Sequence, residues 1–179
     1  MAGDFPNRLA LSQRQGVLLR ELLAAILPAN RFYSAKLQPE TVSRLTSMKD
    51  FCEQVPFTTK AELAADQKAH PPYGTNLTFP LERYTRCHQT SGTAGAPLRW
   101  LDTPESWDWM LANWTPVFCA AGVTRADRVF FAFSFGPFIG FWLAFEAAAR
   151  LGCLCLPGGG LSSAARARAI IDHGATVLC

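Results

Sequence analysis

Strand-like and helix-like segments alternate from about residue 83 to the end of this 179-residue chain. Strands separated by helices of about 10 to 15 residues predict parallel βαβ units, with helices covering both faces of the sheet. The predicted strands are residues 84–89, 128–133, 153–156 and 176–179. The predicted helices are residues 104–121, 139–150 and a segment that Ser162 or Ser163 caps and that reaches His173, and a glycine follows each of them.

The first 82 residues predict a mostly helical segment. Apolar residues recur at helical spacing over residues 11–27, where Leu18, Leu22 and Ile26 share one face. This pattern predicts an amphipathic helix whose leucine stripe faces a core. The predicted organisation is therefore a helical segment, 1–82, followed by an α/β subdomain, 83–179, which ends in an unfinished strand.

A second helix start lies within the N-terminal segment. Thr59 precedes Glu62 by three residues, which is the spacing of a capping box. The box predicts a helix that runs to about Asp66. A structural role as a helix start is favoured over a catalytic role for the neighbouring Lys60.

The segment from Thr90 to Pro97 is a cluster of small and hydroxylated residues between a strand-like and a helix-like run. Gly92 and Gly95 permit backbone conformations that other residues avoid, and they let main-chain N–H groups approach an anion. The hydroxyl groups that add donors belong to Thr90, Ser91 and Thr93. The pattern favours a phosphate-binding loop, although a solvated turn has a similar composition. The spacing of a Walker A loop is absent, and so is a Rossmann fingerprint.

The order of residues in this segment resembles the phosphate loop of the adenylate-forming superfamily. That loop has two small hydroxylated residues, Gly, Thr, Thr, Gly, any residue and Pro, and only Ala94 departs from it here. Other segments resemble the phenylacetate-CoA ligase branch of the superfamily. They are residues 55–60 (VPFTTK), 71–74 (PPYG), 127–129 (DRV), 133–140 (FSFGPFIG) and 150–152 (RLG). The resemblance covers roughly residues 45–179 and implies part of the large N-terminal domain of an adenylate-forming enzyme.

The resemblance implies a reaction in two steps. A carboxylate attacks the α-phosphate of Mg–ATP and gives an acyl-adenylate, and the thiol of coenzyme A then displaces AMP. The implied phosphate-binding residues are Thr90, Ser91, Gly92, Thr93, Ala94 and Gly95. Many relatives carry Lys where this chain has Ala96, so Arg99 is the candidate for a partial replacement of that charge.

The aromatic segment 133–138 predicts part of a pocket for an aryl acid, because the resembled branch places aromatic residues there. The predicted pocket residues are Phe133, Phe135, Gly136 and Phe138. Three phenylalanines at this spacing are also typical of a plain core. The embedded Ser134 and Pro137 favour a shaped wall over a simple strand.

Proteins of the resembled family are more than twice as long, and their later motifs have no counterpart in these 179 residues. No catalytic residue is therefore assigned, and we expect the chain to be the N-terminal portion of a longer ligase. Two alternatives stay open: a non-catalytic nucleotide-binding remnant, and a relative that transfers the acyl group to an acceptor other than coenzyme A.

Composition limits the other function classes. A net charge of +3 without a basic stripe gives little support to nucleic-acid binding. Six cysteines lack the spacing of a zinc site, so the sequence predicts no metal site and favours reduced thiols in the cytoplasm. The apolar run 129–145 is interrupted by Ser134, Gly136 and Pro137, which argues against a membrane span. Association into a homodimer is left open, because a truncated parallel sheet exposes an edge.

Overall fold

The computed structural model describes residues 7–92 and 95–179. Internal contacts divide the chain into two compact units, one that ends at Arg83 and one that begins at Tyr84. Thr93 and Ala94 of the predicted phosphate loop lie outside the described residues.

The first unit consists of helices. Its α-helices are α1 (Arg8–Ile26), α2 (Arg31–Lys36), α3 (Pro39–Ser43), α4 (Met48–Gln54) and α5 (Lys60–Ala69), and a 3-10 turn spans Leu81–Arg83. α1 begins before the predicted residue 11 because the Asn7 side chain accepts a hydrogen bond from the Ala10 amide and caps it. The predicted capping box at Thr59 and Glu62 is confirmed, since each side chain bonds the other residue's backbone.

The predicted leucine stripe of α1 is wrong in its orientation. Leu18 and Leu22 are about half exposed, whereas the buried residue of the helix is Leu23. One residue corresponds to a rotation of about 100° around a helix, so the face that packs inward is displaced from the predicted one. The spacing of apolar residues predicted the helix correctly. It did not determine which of two adjacent helix faces, the one with Leu22 or the one with Leu23, packs against the short neighbouring helices.

Two polar interactions join separate segments of the first unit, one buried and one at the surface. Asn30 is 3% exposed, and its amide donates to Asn76 and Thr78, so the helical segment and residues 76–78 are joined by buried polar bonds. Lys36 donates to Glu62 at 2.6 Å. The hydrogen bonds from Lys36 and Thr59 lower the pKa of Glu62 to about 2, so this carboxylate stays ionised at neutral pH.

The second unit contains the α/β architecture. Its elements are β1 (Arg86–Gln89), β2 (Arg99–Asp102), α6 (Pro104–Ala120), β3 (Arg128–Phe131), α7 (Ile139–Leu151), β4 (Leu154–Pro157), α8 (Ser163–Asp172) and β5 (Val177–Leu178). β3 is the central strand of a parallel sheet with the order β4-β3-β5. The predicted α/β class with parallel βαβ units is therefore confirmed for β3, α7, β4, α8 and β5.

The first strand of the second unit does not join that parallel sheet. β1 pairs antiparallel with β2, a strand that the sequence patterns did not predict, and Gln89 lies opposite Arg99. The candidate phosphate loop is consequently the tip of a hairpin, and the expectation of a direct passage from strand to helix is wrong. Reciprocal bonds close the hairpin, since the Thr90 amide donates to the Leu98 carbonyl and the Leu98 amide donates to the Thr90 hydroxyl.

The core of the second unit lies where α6 and α7 pack over β3. Its members of lowest exposure are Trp107, Leu111, Val129, Phe131, Ala144, Ala147 and Ala148. Alanines on the inner face of α7 let it approach α6 closely. Cys153 belongs to this core and Cys155 packs against it, and burial raises the pKa of Cys155 to about 11.

No helix in residues 7–92 and 95–179 combines the length and the apolar composition that a membrane span requires.

We expect the core of the second unit to depend strongly on Leu111, which is 1% exposed. Leu111→Ala should lower the free energy of unfolding by about 2–5 kcal/mol, because it leaves a cavity as well as removing apolar contacts. Denaturant unfolding followed by tryptophan fluorescence measures this, since all five tryptophans lie in the second unit. Leu154→Ala is the matched control, because Leu154 is 57% exposed and its loss should cost below about 1 kcal/mol. Equal losses from the two variants would contradict the assigned core.

Candidate functional site

The β1–β2 hairpin presents the candidate phosphate loop. Gly92 has φ +70°, in the left-handed region that favours glycine, and the Gly95 amide donates to the Gly92 carbonyl at 3.0 Å. A Cβ on Gly92 would lie 2.9 Å from both the Gly95 carbonyl oxygen and the Pro97 Cγ. A side chain therefore does not fit at this position without a change in the turn.

The described loop residues that flank Gly92 serve different purposes. The Thr90 hydroxyl oxygen accepts the Leu98 amide, so this side chain holds the base of the hairpin and still has its own proton to donate. Ser91 is exposed at the tip. Arg99 begins β2 on the strand opposite Gln89, which places a cation at the base of the loop.

The aromatic segment lies directly beside this hairpin. The Gln89 amide, one residue before the loop, donates to the Pro137 carbonyl at 2.9 Å. The structure thus brings together the two groups of residues that the sequence singled out separately. Gly136 has φ +51°, and its carbonyl accepts from the Trp142 indole, so a tight turn interrupts the segment after Phe135.

The three phenylalanines of the segment differ in their packing. Phe133 stacks on Phe141 at 4.2 Å between ring centroids, and Phe135 contacts Trp142 at 4.8 Å. Both Phe133 and Phe135 pack against the core. Phe138 caps α7, is half-buried, and makes an edge contact with Phe141 at 5.9 Å. Of the three rings, that of Phe138 packs least against the core.

A second glycine-rich turn lies at the same edge of the parallel sheet. The aromatic segment follows β3 and residues 158–160 follow β4, so both lie beyond the carboxyl ends of parallel strands, where ligands of such sheets bind. The Gly160 amide donates to the Ser134 hydroxyl at 3.3 Å and joins the two segments. A Cβ on Gly158 would lie 2.6 Å from the Phe130 ring, so close packing accounts for this glycine.

A charged cluster between the hairpin and helices α6 and α7 was not predicted from the sequence. Arg86 forms a bidentate ion pair with Glu146, with N–O distances of 2.9 and 3.0 Å, and its guanidinium lies 4.3 Å from the Trp107 ring centroid. The Trp107 indole donates to the same carboxylate at 2.7 Å. These contacts connect β1 with α6 and α7. Arg86 and His88 are two residues apart in β1 and therefore share one face of the strand. Two polar residues on the same face of a strand are the sequence signal that could have predicted the cluster.

His88 completes this face of β1. It is 6% exposed and its ring stacks on Trp107, with centroids 5.1 Å apart and planes 12° from parallel. Burial lowers the pKa of His88, and this effect outweighs the opposing attraction of Asp102. The ring is therefore neutral at pH 7.

Solved structures of a CoA ligase resemble this chain in fold. No protein-family model matches the chain. A solved structure of 2-hydroxyisobutyryl-CoA ligase in complex with 2-HIB-AMP and CoA matches 93% of the chain and 35% of its own, with a TM-score of 0.82 and 26% identity. An open conformation of that ligase matches 89% of the chain and 35% of its own, with a TM-score of 0.78 and 25% identity.

The relatives found by sequence similarity are also CoA ligases. Phenylacetate-coenzyme A ligase of Escherichia coli (strain K12) is 30% identical over 146 residues, which are 79% of this chain and 30% of the relative. The Pseudomonas putida phenylacetate-coenzyme A ligase is 30% identical over 131 residues, 71% of this chain and 27% of the relative. The chain thus spans about a third of the length of the proteins that it matches.

The chain is related to the adenylate-forming CoA ligases and corresponds to the N-terminal part of such a protein. Its relatives within that class include phenylacetate-CoA ligases.

The lowered pKa of His88 predicts a pH dependence of stability. In the unfolded chain His88 takes up a proton near the ordinary histidine pKa of 6.5, whereas in the folded chain burial lowers the pKa of His88. The unfolded state therefore binds more protons below about pH 6.5, and the free energy of unfolding should fall as the pH drops through that value. His88→Phe keeps a ring against Trp107 and should flatten this part of the profile in tryptophan-detected unfolding. His173→Gln, which removes an exposed histidine, is the control, and a profile that is identical in wild type and His88→Phe would contradict the assignment.

Proposed function

We propose that this chain is the N-terminal portion of an AMP-forming acid–CoA ligase whose substrate is an aryl carboxylic acid such as phenylacetate. The observation that carries the proposal is the Gln89–Pro137 hydrogen bond, which holds the phosphate-loop hairpin beside the aromatic segment. An enzyme that joins ATP to an acid needs a phosphate-binding loop and an acid pocket next to each other. The similarity to CoA ligases supports the same reading.

In this proposal residues 83–179 are an incomplete nucleotide-binding subdomain and residues 1–82 its helical lead-in. The loop from Thr90 to Gly95 orients the β- and γ-phosphates of Mg–ATP through main-chain N–H groups and hydroxyls, and Arg99 adds positive charge at its base. This role is positional and electrostatic and includes no covalent step. Magnesium enters with the nucleotide substrate.

The chemistry proceeds in two displacements. A carboxylate oxygen of the acid attacks the α-phosphorus, the bond to the β-phosphate oxygen breaks, and pyrophosphate leaves. The sulfur of coenzyme A then attacks the acyl carbon, the bond to AMP breaks, and a thioester forms. Phe138 and its neighbours would hold the arene ring by edge-to-face contacts. Small-molecule substrates and free cysteines agree with a cytoplasmic location.

Two residues of the loop favour, as the second candidate function, a protein whose adenylation is weaker or absent or whose acyl acceptor is not coenzyme A. Ala94 removes a hydroxyl and Ala96 stands where many relatives carry Lys. A nucleotide-binding protein without catalysis would bind ATP and give no pyrophosphate exchange. A relative with another acceptor would give exchange and an acyl-adenylate that coenzyme A does not consume, so product analysis with and without coenzyme A separates the cases.

Gly92→Val should abolish ATP–pyrophosphate exchange by the full-length enzyme with an aryl acid. The added side chain cannot occupy the space between the Gly95 carbonyl and Pro97 at φ +70°, so the loop must change shape. Gly16→Ala is the control, because a Cβ there makes only an ordinary contact at 3.6 Å within α1. Exchange that survives in Gly92→Val at the wild-type rate would overturn the loop assignment.

Phe138→Ala should raise the KM for an aryl acid by roughly threefold to tenfold and leave the KM for ATP nearly unchanged, since an aromatic pair contributes a modest, directional free energy. Steady-state kinetics of the full-length enzyme with each substrate varied in turn measure this. Phe57→Ala removes a phenylalanine that is 90% exposed and is the matched control. Parallel changes in both KM values would assign Phe138 to packing and not to the acid pocket.

A further inference from the structure

Two polar atoms on the buried face of the phosphate-loop hairpin have no hydrogen-bond partner among the described residues. They are His88 Nδ1 and Asp102 Oδ2, and they lie 3.8 Å apart. The side chains are 7% and 13% exposed. A hydrogen bond between nitrogen and oxygen needs about 2.7–3.2 Å, so the two atoms face each other just beyond bonding distance. Buried polar groups without partners are rare in folded proteins and call for a physical reason.

The polar groups nearest to these two atoms form their hydrogen bonds elsewhere. Ser106 donates to Oδ1 of Asp102, and Arg86 is engaged in the bidentate pair with Glu146. The charged groups that act on His88 are Arg86 on its own strand, Asp102 on β2 and Glu146 on α7, and its ring stacks on the neutral Trp107 of α6. With a neutral imidazole this cluster holds one positive and two negative charges. Protonation of His88 balances it.

The location of the pair connects it to the loop. His88 precedes Thr90 by two residues in the strand that enters the loop, and strand residues advance about 3.3 Å each. The ring stacks on Trp107, so it can turn within its own plane more readily than it can leave the indole face. A displacement of under about 1 Å brings Nδ1 within bonding distance of Asp102.

We propose that His88 and Asp102 are positioning residues for the phosphate loop, and that the pair closes into a hydrogen bond when a triphosphate occupies the loop. The inference rests on the proposed function, because it takes the loop to be the triphosphate site. A polyanion bound at the loop favours the imidazolium form of His88, and the imidazolium is the form that Asp102 attracts. Triphosphate binding and protonation of His88 therefore promote each other, as linkage requires.

The first test needs no variant. The chain labelled with ¹³C at histidine Cε1 is titrated with acid in the presence and absence of inorganic triphosphate. Only three histidines contribute signals, and the variants below assign them. We expect the midpoint of the His88 signal to move to higher pH with triphosphate, while the His173 signal keeps its midpoint. A midpoint of His88 that triphosphate leaves in place overturns the proposal.

The second test is calorimetric. Triphosphate binding to the wild-type chain, measured below pH 6.5 in two buffers of different ionisation enthalpy, should take up a few tenths of a proton, on the order expected for several charges about 10 Å away at moderate salt. His88→Phe and Asp102→Asn should each abolish this uptake and weaken binding about threefold at low pH. Because the two residues act as a pair, the double variant should bind no more weakly than the worse single variant. His173→Gln should behave as wild type.

The outcomes distinguish a failure of the His88–Asp102 proposal from a failure of the phosphate-loop assignment. If the wild-type chain binds triphosphate and His88→Phe takes up as many protons as wild type, the pair is not coupled to the loop, and the proposed function stands. If triphosphate does not bind to the wild-type chain at all, the loop assignment fails and the pair fails with it. If His88→Phe and Asp102→Asn weaken binding additively and equally at all pH values, the two residues are structural supports and the proposal is wrong.

Discussion

The bidentate ion pair between Arg86 and Glu146 is the contact on which the arrangement of the site depends. A two-stranded hairpin is marginally stable by itself and needs a partner to pack against. Arg86 provides one by joining β1 to α7, and Trp107 of α6 shares the same carboxylate. The hairpin that carries the candidate phosphate loop is thereby held by the same two helices that cover the parallel sheet. Because the cluster is partly buried, the loss of either charge would leave the other without its partner in a poorly solvated position.

This attachment explains why two distant parts of the sequence meet. The phosphate loop belongs to a hairpin outside the parallel sheet, and the aromatic segment belongs to the turn that follows β3. With β1 held on α7, the Gln89 amide reaches the Pro137 carbonyl, and the loop comes to lie at the carboxyl edge of the sheet. In an enzyme that joins a carboxylate to a nucleotide, such fixed proximity reduces the entropic cost of bringing the reactants together.

Local signals determined much of the fold. The predicted cap Thr59 and the left-handed Gly152 mark helix ends that follow from neighbouring residues alone, and of the two predicted caps of the last helix the structure has Ser162. β2 was missed because Arg99–Asp102 is short and carries polar residues at both ends, so its identity depends on pairing with β1. The inward row of α1 and the Glu146 ion pair likewise depend on contacts between segments far apart in sequence. Among site residues, Gly92 could be predicted from its turn, whereas Trp107 and Glu146 could not, since their roles arise only when α6 and α7 meet the hairpin.

A crystal structure of the full-length protein with a non-hydrolysable ATP analogue and an aryl carboxylate would show whether the hairpin tip binds the nucleotide. We expect the β- and γ-phosphates within hydrogen-bonding distance of the hairpin tip, including the amides of Ser91, Gly92 and Gly95, with the arene ring beside Phe138. Phosphates bound at another part of the second unit, with the hairpin tip in solvent, would contradict this expectation.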